Sequence, residues 1–293
     1  MRPEPRAGIL FCGGWRWCFD LPNCGLAGKR KSDYSAGVAM NSSLVKPSIS
    51  FIVLALNEAE HIEATIMVVL EAVVASVVTE YELVLVNDGS TDRTGELMDK
   101  AACHNPRLRV VHNEHNLGFG GAYKRGVAVA RGDYVMIVAG DNAMPAASIS
   151  TILNRLGETD IVFPYVIDAK DRSLLRRIGS RGFTAVINAL FGQRIRYYNS
   201  MVPRRELLNQ VTIKTDGYAS QAEGALKLIK AGCSYLEVGV AHGHASGGGS
   251  SAVSPKNLLK ALTAVVALIK EMRQPSAVLA RVPIEPKASA EER

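Results

Sequence analysis

Three apolar runs of strand length, each closing in a cluster of polar residues, constrain this chain more than any other feature. They are Ile49–Leu56 before Asn57-Glu58, Tyr81–Val86 before Asn87-Asp88-Gly89-Ser90, and Asp133–Ala139 before Gly140-Asp141-Asn142. Between the first two, Ile62, Ile66, Val69, Leu70, Val73, Val74 and Val77 recur at helical spacing and mark one buried face. Leu108–His112 is a further short strand, and the glycine-rich turn Leu117-Gly118-Phe119-Gly120-Gly121 opens a helix that runs through Ala130. Strands and helices alternating at these lengths imply an α/β fold, a mostly parallel central sheet with helices on both faces. Ligands of such sheets sit at the carboxyl ends of the strands. One Asp-Gly-Ser is only a turn, but three polar clusters at matching positions of consecutive units converge on one crevice.

The pattern continues with strands at Asp160–Val166 and Tyr235–Val240 and a helix at Ser220–Ala231, stopped by Gly232. Its limits divide the chain into a domain over 48–252, an amphipathic helix over 253–273 and a disordered, proline-containing tail over 274–293. Residues 1–47 form an extension that does not conform. Residues 1–39 hold both tryptophans and three of the five cysteines without any sustained period. Met40 is the candidate natural start, making the upstream stretch an over-long reading frame; a genuine appendage is the alternative. Cys12, Cys18 and Cys24 lack a zinc-ligand spacing, and the odd count without a signal peptide favours a reducing compartment.

Charge matters here by location. The net charge is +6, yet Arg172–Arg205 contains eight arginines and no acidic residue. This marks a local anion-binding surface on a mildly acidic body. No nucleic-acid motif accompanies it, so no nucleic acid is expected as partner. Leu174, Leu175, Ile178, Phe183, Val186, Ile187, Leu190 and Phe191 alternate with Arg176, Arg177 and Arg181 as in a basic amphipathic helix at an anionic lipid surface. An ordinary half-buried helix with solvated arginines is the alternative. No apolar run reaches the ~20 residues of a membrane span, so the chain is expected to lie on a membrane rather than cross it.

Taken in order, Ile52-Val53-Leu54-Ala55-Leu56-Asn57-Glu58, Val86-Asn87-Asp88-Gly89-Ser90-Thr91-Asp92, Asn116-Leu117-Gly118, Gly120-Gly121-Ala122, Ala130-Arg131-Gly132-Asp133-Tyr134, Gly140-Asp141-Asn142, Glu237-Val238 and Gly249-Ser250-Ser251 resemble the family 2 glycosyltransferases. The likeness is strongest to the branch of dolichyl-phosphate mannose and glucose synthases and bacterial polyprenyl-phosphate sugar transferases, and runs from about Ser48 to Ala252. It implies a GT-A fold. It also implies that Asn57, Glu58 and Asp88 bind a nucleotide-sugar donor, with Lys124 or its neighbour Arg125 toward the phosphates, unless both are merely solvated helix charges. Asp141, aided by Asn142, would stand for the family's Asp-x-Asp element and hold Mg²⁺ or Mn²⁺ against the diphosphate, as hard oxygen donors suit such ions. Glu223, with Gln221 beside it, falls where the family keeps an acidic residue near the acceptor and is favoured as the catalytic carboxylate, the base that a hydroxyl acceptor would need; Asp216 is the other available carboxylate, unless it only caps a turn. Arg181, Arg194 and Arg204 would meet an acceptor phosphate. His244 stands in the loop where the family often has a phosphate-binding arginine, and would make activity depend on pH near neutrality; a plain exposed loop histidine is the alternative.

There are departures from the family pattern. Ala139 replaces the first Asp of Asp-x-Asp, and Leu54 and Gly239 stand where prolines are usual. The run Gly118-Phe119-Gly120-Gly121-Ala122-Tyr123 is not a dinucleotide fingerprint, because Tyr123 takes the third glycine's place. The implied activity is inverting, metal-assisted sugar transfer to a polyprenyl phosphate at the cytoplasmic membrane face. A phosphate acceptor is already anionic and needs no strong base. The alternatives are a soluble saccharide or small-molecule acceptor, or a non-catalytic nucleotide-sugar-binding protein.

Overall fold

A computed structural model describes residues 46–167, 174–198, 200–217 and 219–241. The N-terminal extension before residue 46, the loop with His244, the amphipathic helix over 253–273 and the tail lie outside the described residues.

The elements are β1 (Ile49–Ala55), α1 (Ile62–Val74), β2 (Tyr81–Asn87), α2 (Thr94–His104), β3 (Leu108–His112), α3 (Gly118–Val129), β4 (Tyr134–Ala139), α4 (Ala146–Leu153), β5 (Ile161–Val166), α5 (Leu174–Phe191), β6 (Val202–Pro203), α6 (Arg205–Asn209), α7 (Ala219–Lys230) and β7 (Tyr235–Val240). One sheet has the order β3-β2-β1-β4, parallel throughout. A second has the order β6-β5-β7, with β5 parallel to β7 and antiparallel to β6. An antiparallel bridge between Tyr134 and Arg204 joins them. The Arg205 N–H donates to the Asp133 carbonyl at 2.7 Å and the Arg204 N–H to that of Asp160 at 2.8 Å. β6 therefore lies between β4 and β5. The sequence pattern foresaw the other six strands but not β6, α4 or α6, because two to eight residues carry too little periodicity to stand out.

The apolar runs are continuous because both faces of the sheet are covered. Phe51, Val53, Leu83, Leu85, Met136 and Val138 pack with Ile62, Ile66 and Val69 of α1, Met98 of α2 and Ile149 of α4. Their neighbours in each strand, Ile52, Val84, Val86, Val135 and Ile137, pack on the other side with Ala122 and Tyr123 of α3, Ile187 of α5 and Ala222, Ala225 and Leu226 of α7. This is the two-residue alternation of strand side chains, read on both sides. At Gly126 a Cβ would run into the Ile52 and Val86 side chains. Glycine there lets α3 lie close against the sheet and brings its first turn to the strand ends.

Candidate active site

The crevice is built from loops that bind one another. Asn57, just past β1, has φ +56°, the left-handed region that asparagine tolerates better than most residues. That turn aims its side-chain oxygen at the loop after β2, where it accepts the Thr91 N–H at 2.8 Å. The Asn57 N–H donates to the Ser90 hydroxyl at 3.0 Å and the Glu58 N–H to the Thr94 hydroxyl at 2.8 Å. The Ala59 N–H donates to Asp92 Oδ2 at 3.2 Å. Backbone and side chain together lock the two loops. The Glu58 carboxyl is half-buried, and its pKa is raised by burial first and by the negative charge of Asp141 next, partly offset by His61. Glu58 and Asp141 follow the neighbouring, paired strands β1 and β4.

Asp88 is buried, at 5% exposure. Its Oδ1 accepts from Asn113 Nδ2 at 2.8 Å and the Leu117 N–H at 2.9 Å, and its Oδ2 from the Gly118 N–H at 3.0 Å. It thus satisfies donors at the start of α3, where a negative charge also suits the helix dipole. Gly89 has φ +73°, and a Cβ there would lie 2.7–2.9 Å from the backbone of His115 and Asn116. The turn after β2 and the loop after β3 can approach this closely only because Gly89 is glycine. Asn113, which the sequence reading missed, joins them; its cue was only a polar residue directly following β3.

Beyond β4, the Gly140 N–H donates to the Leu54 carbonyl at 2.8 Å, and the Gly140 carbonyl accepts the Thr65 hydroxyl at 2.9 Å. Asp141 Oδ1 accepts the Ala143 N–H at 3.1 Å, across Asn142 with φ +55°. Ala139 pairs with Leu54 in the sheet and offers no oxygen. Among the described residues no group of three or more His, Cys, Asp or Glu is gathered to hold a metal ion. Asp141, with Glu58 nearby and Asn142 beside it, fits a hard cation only as part of a shell that a diphosphate completes.

Of the residues expected to meet an acceptor, the structure buries some and exposes others. Glu223 is 3% exposed. Its carboxylate accepts the Lys214 and Thr215 N–H groups, each at 2.9 Å, and pairs with Lys227 at 2.7 Å. Burial pushes its pKa up, but these donors outweigh burial and hold it below the usual carboxylate range. Glu223 anchors residues 214–215, and a carboxylate so committed is a poor proton acceptor for a substrate. Gln221 is fully buried, its side-chain oxygen 3.4 Å from the Met201 N–H, so it has no surface to offer an acceptor. Lys124 pairs with Asp216, whose carboxylate is exposed, and the Asp216 carbonyl accepts the Gly120 N–H at 2.8 Å. Lys124 thus faces the 213–216 segment. Arg204 pairs with the buried Asp160 at 3.3 Å and lies over the Tyr134 ring at 5.2 Å, joining the two sheets instead of facing outward alone. Arg181 and Arg194 are exposed. Arg196, not singled out from the sequence, lies over the Tyr165 ring at 4.5 Å and near Glu237 at 3.9 Å.

Residues 50–223, more than half of the chain, match the sequence model of the family described as glycosyl transferase family 2. The chain belongs to this family. Among curated relatives, glycosyltransferase GlyG of Streptococcus pneumoniae is 38% identical over 79 residues, 27% of this chain and 26% of that protein. Glycosyltransferase AglD of Haloferax volcanii is 30% identical over 145 residues, 47% of this chain and 23% of that one. A dolichyl-phosphate beta-glucosyltransferase of Dictyostelium discoideum is 28% identical over 123 residues, 38% of each chain. The matches thus span about a quarter to two fifths of these relatives' own length. In structure, the chain is similar to glucosyl-3-phosphoglycerate synthase of Mycobacterium tuberculosis in complex with UDP, with TM-score 0.58 and 20% identity over 76% of this chain and 80% of that one. The same synthase is known in complex with Mn²⁺, UDP and phosphoglyceric acid, with TM-score 0.54. The family 2 chain therefore has the GT-A fold that its motifs implied.

Proposed function

We propose that this family 2 protein transfers a sugar from a nucleotide-sugar donor to a polyprenyl phosphate, at a membrane surface that it meets without crossing. The observation that carries the donor half is the convergence of Glu58, the Asp88 turn and Asp141 at the carboxyl ends of β1, β2 and β4. The turn held by Asn57 and Asp88 takes the nucleoside, and Asp141 takes the diphosphate end. With Asn142 beside it and Glu58 across the cleft, Asp141 would hold the divalent ion, Mg²⁺ or Mn²⁺. Such an ion, when bound, neutralises the charge that develops on the leaving diphosphate. Asp141, tethered through the Ala143 N–H, presents its charge from a fixed position, so little reorganisation is needed as the sugar departs.

For the acceptor half, Asp216 replaces Glu223 as the available carboxylate. It is exposed, it is paired with Lys124, and its backbone touches the first turn of α3, the turn that Asp88 holds. A phosphate acceptor arrives as an anion, so Asp216 orients and Lys124 balances charge; neither has to remove a proton. The lipid is suggested by α5, where Ile178, Val186 and Leu190 are 60%, 47% and 50% exposed. Val186 and Leu190 stand one turn apart on the helix, and exposed Arg181 stands one turn from Ile178. Apolar side chains flanked by arginine suit an anionic bilayer surface. Among the described residues no helix is long and apolar enough to cross a membrane. The dolichyl-phosphate relative supports the same acceptor class.

The test is incubation with a panel of labelled nucleotide sugars, Mg²⁺ or Mn²⁺ and a polyprenyl phosphate, with mass spectrometry of the lipid fraction. Glycosylated lipid phosphate is the expected product. Transfer to soluble saccharides or phosphorylated small molecules alone would replace the acceptor, and donor binding without any transfer would make the protein a nucleotide-sugar binder.

A further inference from the structure

Asn87 closes β2, is 8% exposed, and has its side chain divided between two neighbours. Its Oδ1 accepts the Ser90 N–H at 3.0 Å. Its Nδ2 lies 3.1 Å from Nδ1 of His112, the residue opposite it in β3. An amide nitrogen only donates, so His112 Nδ1 is the acceptor and the ring proton sits on Nε2. That Nε2–H donates to Asp99 Oδ1 of α2 at 3.1 Å. The first turn of α2 closes over the pair: a Cβ at Gly95 would lie 2.7 Å from Asn87 Nδ2 and 3.4 Å from His112 Cε1. The His112 side chain is 45% exposed, so water reaches the ring while the amide it faces is buried.

We infer that Asp99, His112 and Asn87 form a hydrogen-bonded chain that positions the Asp88–Ser90 turn, with His112 as its proton-sensitive member. Protonation turns Nδ1 into a donor, and two donors then face each other. Turning the Asn87 amide over relieves the clash at His112 but sets its NH₂ against the Ser90 N–H. No orientation of Asn87 satisfies both neighbours of a charged ring. The Ser90 hydroxyl also accepts the Asn57 N–H, so the disturbance passes on to the loop after β1. Of the groups that face the ring, α2 presents the Asp99 carboxylate, which accepts from Nε2–H in either state, and β2 presents the neutral Asn87. Asn87, His112 and Asp99 are thus positioning residues for the turn. Their consequence for nucleotide affinity rests on the proposed donor site, whereas the order of the turn itself does not.

The first arm of the test uses the ¹⁵N-labelled full chain without ligand, followed by NMR from about pH 7.5 to 5.5, the range in which histidines titrate. The Ser90 amide and the Asn87 side-chain NH₂ should move with the His112 ring in the wild type. They should hold still in His112→Gln, whose side-chain oxygen accepts from Asn87 at any pH. Asn87→Asp should reverse the sign, because carboxylate oxygens accept from the Ser90 N–H and from a protonated ring together; its turn is ordered in acid and loosens toward neutral pH. A Ser90 amide that ignores His112, or an Asn87→Asp turn that loosens in acid as the wild type does, overturns the inference. The second arm measures UDP affinity with Mg²⁺ at both ends of the range. Relative to His112→Gln, which carries whatever the titration of UDP itself contributes, the wild type should lose about five- to tenfold on acidification, the weight of one hydrogen bond. A turn that titrates while UDP affinity keeps pace with His112→Gln severs the chain from the donor site. Absence of UDP binding at every pH refutes uridine recognition and leaves the first arm to decide the positioning role.

Discussion

Beyond the ends of β1, β2 and β4, polar side chains spend their hydrogen bonds on neighbouring loops: Asn57 on Thr91, Asp88 on the start of α3, Asp141 on Ala143. Around β6-β5-β7, polar groups divide into two kinds. Glu223 with Lys227 and Asp160 with Arg204 are ion pairs within the fold, whereas Arg181, one turn from exposed Ile178 of α5, and Arg194 stand in solvent. One region is a set of loops held to one another by their own hydrogen bonds. The other is a frame held by ion pairs that carries exposed arginine and apolar side chains. The proposed transfer would use the first region for the donor and the second for the lipid.

The comparison breaks most visibly if Glu223 is treated as catalytic. Glu223→Ala removes the counter-charge of buried Lys227 and should cost about 3–5 kcal/mol of stability, read as a fall in chemical-denaturation midpoint. A folded, fully stable Glu223→Ala protein that had lost only turnover would restore it as a base. The sign of its pH effect follows from its lowered pKa. Between that folded value and the ordinary 4.5 the unfolded chain binds more protons, so stability is full above the ordinary value and falls as the pH drops through the folded one. The Glu223→Ala protein should lack this part of the acid transition, which pH titration of unfolding free energy would reveal.

Next in size, Asp141→Ala should lower metal-dependent turnover by about a hundredfold or more, as loss of one preorganised electrostatic group does, with an unchanged melting curve. Asp88→Ala sits between the two kinds of effect. It leaves the Leu117 and Gly118 N–H groups without their carboxylate, at about 1–3 kcal/mol. It should weaken donor binding more than it slows bound-state chemistry, since its contact is remote from the reacting carbon. Calorimetric donor titration beside single-turnover rates separates these, and a normal donor dissociation constant would remove Asp88 from the donor site. The smallest effect belongs to the exposed surface. Arg181→Gln should cost about 1 kcal/mol of affinity for anionic vesicles and nothing for neutral ones, and the wild-type advantage should shrink as salt rises. Equal sedimentation with both vesicle types at low and high salt would favour a soluble acceptor.

The parallel strands, their order of appearance and the crevice at their ends were legible from residue type and spacing, because a strand buried on both faces must be written as an unbroken apolar run. The same logic exposed Asn57, Glu58, Asp88 and Asp141, each the first or second polar group after such a run. Tertiary structure alone decided which charged residues remain available. Glu223 and Asp216 are seven residues apart and chemically alike, yet one is enclosed by Lys227 and two backbone N–H groups while the other stands in solvent. Arg204 and Arg181 read identically in a basic segment until β6 places Arg204 against Asp160. The Asn87–His112 contact joins residues 25 positions apart, through a register that exists only once β2 and β3 pair. Local sequence specifies backbone period and turn chemistry; the partner of a charge is set by whatever distant segment folding brings beside it.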